Sequence, residues 1–506
     1  MRYRTQVAFA IALGAAGCGS EEVFEPQLGS TERLVERAAV ARIAGDDQFL
    51  AHVTVVGDID GDGIDDAIVR SEYVIRDANF AMGSGVYVLY GGSGVTGKFA
   101  AASLPVLTGA GAPAGRIASV GDVDGDGLAD FLVGIARVAG CGDPGVPKPG
   151  DPPEHGAAYL VYGSRTRLTG TTPIASVAAL LRDATACTLG DGVAGLGDLD
   201  GDGNADFAIS RSQIDGVGVA YLFYGRGARL TGTVDLAATA DAVITTGLEY
   251  IAPLIRIGDV DGDGHGDFVV RAASDGLVED VRLVRGRAER FTGTVALADI
   301  AQTQFTGGDF CHFIIADGAA LGDLDGDGRD DFSLLSCHDV DQRGGFTVTQ
   351  RVFYGRAGGF PAQIAAGEED AAIPAASGVS EMASADVDGD GALDLILTET
   401  GARDGNGAVH VMYGDGRRLA GMVSVDQSLT YVGMTQRGMR CEYVWSPDCT
   451  TTEALGDELA VGDVTGDHKP DLLINAPTRQ IVASELGVHG SAVGHVYVVS
   501  PEAPNP

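Results

Sequence analysis

Seven short segments of this chain concentrate carboxylates at a spacing that suits a hard cation. The first, 58–66, reads DIDGDGIDD and puts Asp58, Asp60, Asp62 and Asp66 at positions one, three, five and nine. The same four positions hold Asp122, Asp124, Asp126 and Asp130, then Asp198, Asp200, Asp202 and Asp206, then Asp259, Asp261, Asp263 and Asp267. They recur as Asp323, Asp325, Asp327 and Asp331, and as Asp386, Asp388, Asp390 and Asp394. The last segment keeps Asp463, Asp467 and Asp471 but has Thr465 at position three. Bare carboxylates this close repel, and a divalent cation removes the conflict. Calcium takes six to eight oxygens at about 2.3–2.6 Å from carboxylates and carbonyls, whereas magnesium prefers fewer carboxylates and more water. Glycine at positions four and six allows the left-handed turns of a loop wound around an ion. Position seven would offer only its carbonyl, so its side chain reads as free to vary: Ile64, Leu128, Asn204, His265, Arg329, Ala392 and Lys469 stand there. A solvated acidic turn could explain one copy, but not six near-identical ones. The expectation is up to six or seven bound calcium ions. Binding should be weak or absent in the seventh loop, where a carboxylate is lost and His468, Lys469 and Pro470 follow.

Position twelve, where a helix–loop–helix calcium site needs a glutamate, holds Val69, Val133, Ile209, Val270, Leu334, Leu397 and Ile474. Runs such as FLV, FAI and FVV after the loops read as buried strands. The loops should therefore sit in β-hairpins. Their first aspartates recur every 61 to 77 residues, the mark of a repeat architecture. A second signature follows each loop, an alternating strand closed by glycine at Gly91, Gly163, Gly225, Gly286, Gly355 and Gly414, with Ser500 in the last copy. Shorter apolar segments complete four strands per repeat, with no convincing helix. The fold class is all-β, a seven-bladed β-propeller with calcium-binding hairpin loops. Two strands remain after the last loop, and the orphan segment near 39–43 should pair with them to close the ring and satisfy both sheet edges.

This pattern, G-D-φ-D-G-D-G-x-x-D followed by an aromatic strand ending in Tyr-Gly, resembles the FG-GAP repeats of integrin α-chain propellers and of bacterial FG-GAP repeat proteins. The resemblance covers about residues 38–500, although the FG and GAP tripeptides are poorly kept. It implies a calcium-binding, cell-surface propeller that serves ligand binding or cell adhesion, the calcium being mainly structural. A lectin-like or polysaccharide-cleaving propeller is the alternative.

The ends suggest export. Arg2 and Arg4 precede an apolar stretch at 7–17, too short to span a bilayer. AAGC then resembles a bacterial lipobox ending at Cys18, with Ala15 where leucine is usual. Residues 1–17 thus read as a signal peptide, 18–37 as a lipidated tether, 38–500 as the propeller and 501–506 as a tail, which places the chain at the outer membrane or cell surface with the membrane met only through the lipid. With 71 acidic against 34 basic residues, the formal charge of −37 argues against nucleic acid.

Six further cysteines, an even number in an exported chain, favour disulfides. On a propeller all six fall on the face opposite the acidic loops, and Cys141–Cys187, Cys311–Cys337 and Cys441–Cys449 are the expected pairs. That face also carries a proline-rich insertion and the insertion QRGMRCEYVWSPDCTTTE. Arg440, Tyr443 and Trp445 within the latter are residues of the anchoring type at interfaces, and an unidentified protein or glycan is the expected partner. Catalytic motifs are missing: GSGVTGKF from Gly92 has Phe99 where a phosphate-binding loop needs Ser or Thr, and neither G-x-S-x-G nor H-E-x-x-H occurs. Binding is therefore favoured over catalysis.

Overall fold

The computed structural model describes residues 22–24, 31–45, 49–72, 85–109, 114–135, 157–183, 189, 192–211, 217–274, 277–306, 318–341, 345–375, 381–426, 428–433, 435–437, 450–452, 454–477, 479–480 and 494–501. Burial pattern sets radial position in each repeat. The strand after each loop and the strand paired with it are covered on both faces. Asp130–Ile135 and Ala157–Val161, for example, are buried at every residue. Strands with two covered faces read as continuous apolar runs. The next strand outward, Ala178–Arg182, alternates, and so belongs nearer the rim.

The result is seven blades. Blade one runs outward through Phe49–Gly57, Asp66–Glu72, Gly85–Leu89 and Val106–Thr108, each antiparallel to the last. Blade two follows with Ala114–Gly121, Asp130–Ile135, Ala157–Val161 and Ala178–Arg182. Blades three to six begin on Val193–Gly197, Ile255–Gly258, Gly318–Gly322 and Met382–Ala385. Blade seven holds Leu459–Gly462, Asp471–Pro477 and Gly494–Val499. Its fourth strand is Ala41–Ala44 from the other end of the chain, antiparallel to Gly494–Val499 with Ile43 opposite Val496. The expected closure is present.

The core lies between blades. Seven hydrophobic clusters each bridge one junction, from Ile68 with Phe131 between blades one and two to Leu473 and Val496 with Val53 and Val69 between blades seven and one. Neighbouring sheets therefore stack face to face, and among the described residues every junction is filled by one of these clusters.

Three features were not anticipated. Each blade carries a fifth, parallel strand borrowed from the following repeat: Thr171–Pro173 on blade one, Thr233–Asp235 on blade two, Gly97–Ala100 on blade seven. Blade six receives Glu32–Leu34 in this role, so residues 32–37, assigned to the tether by sequence, are part of the ring. Single helical turns, Val35–Ala38, Leu236–Thr239 and Leu297–Ile300, follow borrowed strands and bury Val35, Leu236 and Leu297. Finally, Glu22–Phe24 pairs with Thr435–Arg437 in a small separate sheet with Thr450–Thr452 and Arg479–Gln480.

Candidate metal centres

Each acidic loop joins the innermost strand of its blade to the second, so all lie on one face of the ring. In blades one to five the loop opens on a β-bulge, at which the preceding glycine has positive φ: Gly57 at 84°, Gly121 at 71°, Gly197 at 77°, Gly258 at 80° and Gly322 at 60°. Blade six has Ala385 there and no register shift.

The loop is wound on its own aspartates. Asp58 Oδ1 accepts from the Gly61 and Asp62 amides at 2.6 and 3.2 Å, and its Oδ2 from Gly63 at 2.8 Å. Asp60 and Asp62 accept from the amides of Asp62 and Ile64 at 3.2 and 3.0 Å. The winding repeats at Asp122, Asp124 and Asp126, at Asp198, Asp200 and Asp202, and at Asp259, Asp261 and Asp263. It recurs at Asp323, Asp325 and Asp327 and at Asp386, Asp388 and Asp390. Asp463 and Asp467 do the same in loop seven, where His468, in place of glycine, is held at a φ of 67°.

Carboxylate oxygens of Asp58, Asp60 and Asp62 lie within 4.8 Å of one another, as do those of Asp259, Asp261 and Asp263. In loops two, three and five the converging trio is positions one, three and nine: Asp122, Asp124 and Asp130; Asp198, Asp200 and Asp206; Asp323, Asp325 and Asp331. These are clusters of hard oxygen donors that could hold an ion, and their donor chemistry fits calcium.

The ninth aspartate has a second task. Asp66 is fully buried; its Oδ2 accepts from Ile59 at 2.9 Å and its Oδ1 from Gly91 at 2.7 Å. Asp130, Asp206, Asp267, Asp331 and Asp394 likewise tie their loops to Gly163, Gly225, Gly286, Gly355 and Gly414. In blade seven the Ser500 hydroxyl donates to Asp471 in place of the glycine amide. The two recurring sequence signatures thus meet at one carboxylate. Burial raises Asp66, Asp130, Asp206 and Asp331 to about 7 and Asp267 to about 8; the bound amides oppose this, and the neighbouring aspartates reinforce it. A cation would supply the counter-charge that favours their ionised form.

Five neighbouring loop pairs are joined by a backbone hydrogen bond. The Ala129 amide donates to the Asp58 carbonyl at 2.9 Å, Ala205 to Asp122 at 2.9 Å, Gly266 to Asp198 at 2.7 Å, Asp330 to Asp259 at 2.9 Å, and Asp65 to Asp463 at 3.0 Å. Position seven is not free to vary independently, as the sequence suggested. Its side chain lies over the position-four glycine of the preceding loop: a Cβ on Gly61 would stand 2.9 Å from Leu128, one on Gly125 2.6 Å from Asn204, and one on Gly466 2.7 Å from Ile64.

Sequence reasoning also missed a cation at these loops. Arg167, from blade two, donates its Nε to Asp60 and its Nη2 to Asp62 at 2.6 Å in loop one. Arg229 reaches Asp124 and Asp126, Arg290 reaches Asp200 and Asp202, and Arg418 reaches Asp325 and Asp327. The available signal was an arginine five residues after the strand-ending position at 162, 224, 285 and 413.

Among the described residues, one arrangement superficially resembles a catalytic triad. His410 Nδ1 is 3.1 Å from Ser428 Oγ, and its Nε2 is 3.6 Å from Glu399. All three are buried, Thr430 Oγ1 lies 2.9 Å from the same Nδ1, and the Ser428 hydroxyl donates to the Val425 carbonyl at 2.6 Å. This is a cross-strand polar pairing, not an activated nucleophile. The segment at 92–97 that mimics a phosphate loop is a turn into the strand Gly97–Ala100. Cys18, Cys141, Cys187, Cys311, Cys441, Cys449, Arg440, Tyr443 and Trp445 lie outside the described residues, and of Cys337 only the backbone, in Asp331–Asp341, is described.

The FG-GAP repeat family matches residues 378–412 and 455–499, which coincide with the inner three strands of blades six and seven. Blades six and seven thus carry FG-GAP repeats. The other five blades of the FG-GAP propeller share the loop winding and the Asp-to-glycine tie, and the whole ring is consistent with the N-terminal propeller of integrin α-chains.

Proposed function

We propose that this FG-GAP propeller binds calcium in its acidic loops and acts as an exported, surface-held ligand-binding or adhesion module. The observation that carries the metal reading is convergence: in loop after loop, three aspartates bring carboxylate oxygens within 4.8 Å of one another, and backbone amides hold those carboxylates in place. FG-GAP propellers often bind calcium, and their fold is typical of ligand-binding modules. Calcium bound to the native ring stabilises it by mass action. Isothermal titration should count about six calcium sites on the purified protein, the loops that keep all four aspartates, and chelator should lower the melting temperature sharply. Silent titration and an unmoved melting curve would refute this reading.

The ligand face is proposed on the side opposite the loops. Support comes from the sequence of the insertion, which holds Arg440, Tyr443 and Trp445, residues of the anchoring type; the strands flanking it, Thr435–Arg437 and Thr450–Thr452, pair antiparallel. Substituting Trp445→Ala should abolish capture on a glycan array or by a surface protein. Lipid attachment at Cys18 is tested by palmitate labelling with Cys18→Ser as control. The pairs Cys141–Cys187, Cys311–Cys337 and Cys441–Cys449 are tested by non-reducing peptide mapping.

A further inference from the structure

The arginines at the loops form a repeated device that crosses each junction. Arg167 belongs to blade two, the carboxylates it touches belong to blade one, and its guanidinium lies 4.9 Å over the ring of Tyr90, also in blade one. The Tyr90 hydroxyl in turn accepts from the Leu168 amide, next to Arg167, at 2.8 Å. Arg229 stacks on Tyr162 at 4.8 Å, Arg290 on Tyr224 at 4.9 Å and Arg418 on Tyr354 at 5.0 Å, and each tyrosine hydroxyl accepts from the amide after its arginine. Stacking and the amide bond fix the guanidinium before it meets any carboxylate.

The exceptions are informative. Blade five has Gly359 at the arginine position, and there blade four places Arg285 where other blades have the tyrosine. Arg285 Nη1 donates to Asp261 of its own loop, and a Cβ on residue 359 would stand 3.2 Å from that Nη1. The cation has moved to the other side of the junction and still reaches the position-three carboxylate. Loop seven has Thr465 at position three, and the turn at 91–97 that would supply its arginine contains none. Cation and position-three aspartate are retained or lost together. The segment that would serve loop six, at 25–30, lies outside the described residues.

We propose that these arginines are resident counter-charges that hold each acidic loop against the next blade when no metal is bound, so that metal loading and the junction are energetically coupled. The inference rests on the metal reading of the loops. The oxygens involved decide the sign. Arginine takes the Oδ2 atoms of positions three and five, while their Oδ1 atoms accept loop amides. Four carboxylates carry more negative charge than a calcium ion and a guanidinium can neutralise together, so both fit. Once calcium is present, however, the guanidinium faces a loop with half its charge neutralised and stabilises it less. By reciprocity, removing the arginine must then strengthen calcium binding.

The test is the triple variant Arg167→Gln, Arg229→Gln, Arg290→Gln, with Arg167→Lys as a charge-retaining variant. Arg226→Gln, whose guanidinium pairs with Asp241 away from the acidic loops, serves as control. The triple variant should lose more melting temperature in chelator than in saturating calcium. Its calcium affinity should rise by up to about thirtyfold at the affected sites, the effect of relieving the repulsion between one unit charge and a divalent ion at contact distance in water. The lysine variant should fall between, and Arg226→Gln should shift both melting curves equally. Equal losses in both buffers with unchanged affinity would reduce the arginines to packing and overturn the inference alone. A silent calcium titration of the unsubstituted protein would overturn the metal reading and the inference with it.

Discussion

Arg42 Nη2 donates to His495 Nε2 at 2.6 Å across the seam where the strand Ala41–Ala44 closes the last blade. The contact holds only while the imidazole is neutral at that nitrogen. Burial, then the Arg42 and Lys98 charges, push His495 down to about 4 from its ordinary 6.5, against the pull of Glu36. A base with a lowered folded value contributes stability above its unfolded value and loses it as pH falls toward the folded one. The seam should therefore weaken between pH 6.5 and 4, by up to about 3 kcal/mol. His495→Gln should flatten that part of the pH–stability profile in urea melts. A variant with the same acid slope as the parent would show that the titrating group lies elsewhere.

Closure itself can be tested at Ile43. This side chain is fully buried in the cluster between blades seven and one, and its backbone sits between Val496 and Phe99 in the sheet. Ile43→Ala should cost about 2–4 kcal/mol from lost burial and the cavity left behind. Ile43→Pro, which also interrupts the sheet, should cost more and expose the far blades to proteolysis. If both variants melt like the parent, the ring does not depend on its N-terminal strand.

Gly91 permits the tie between a loop and its blade. A Cβ there would stand 2.3 Å from the Asp65 carbonyl oxygen and 2.6 Å from Ile64, so the amide could not reach Asp66 without displacing the loop. Gly91→Ala should destabilise by about 3 kcal/mol, the upper range for overpacking. Gly94→Ala, three residues on, meets nothing within 4 Å and should be near neutral in the same thermal melts. Equal effects at the two sites would contradict the close approach.

The metal loops and the strands around them were readable because both obey local rules: carboxylate spacing in one, continuous apolar runs in the other. The same holds for closure, since Ala41–Ala44 has the alternation of an outer strand. What stayed hidden is what crosses from one repeat to the next. Thr171–Pro173 is three residues long and largely exposed, with no pattern of its own; only the neighbouring blade makes it a strand. Leu128, Asn204 and His265 looked interchangeable because their partners are glycines 64 to 79 residues earlier in the chain. Arg167 and Arg229 were visible at fixed spacing, but as turn residues; their carboxylate partners are 107 and 105 residues away.

The two ends of one loop should separate metal binding from scaffolding. Asp126 is exposed, and its Oδ1 accepts only from Leu128 at 3.0 Å within the loop. Asp130 is fully buried, and both its oxygens accept amides, from Val123 at 3.0 Å and Gly163 at 2.8 Å. An asparagine at 130 can present one carbonyl oxygen only, and its NH2 would then face a buried N–H donor. Leaving such a group unsatisfied costs about 1–3 kcal/mol. Both Asp126→Asn and Asp130→Asn should remove one calcium from the titration, but in chelator Asp130→Asn should melt much further below the parent than Asp126→Asn, which weakens only the half-exposed Arg229 contact. Should the two variants behave alike without metal, the ninth aspartate would be a ligand and nothing more, and the link between the acidic loop and the glycine-ended strand would need another cause.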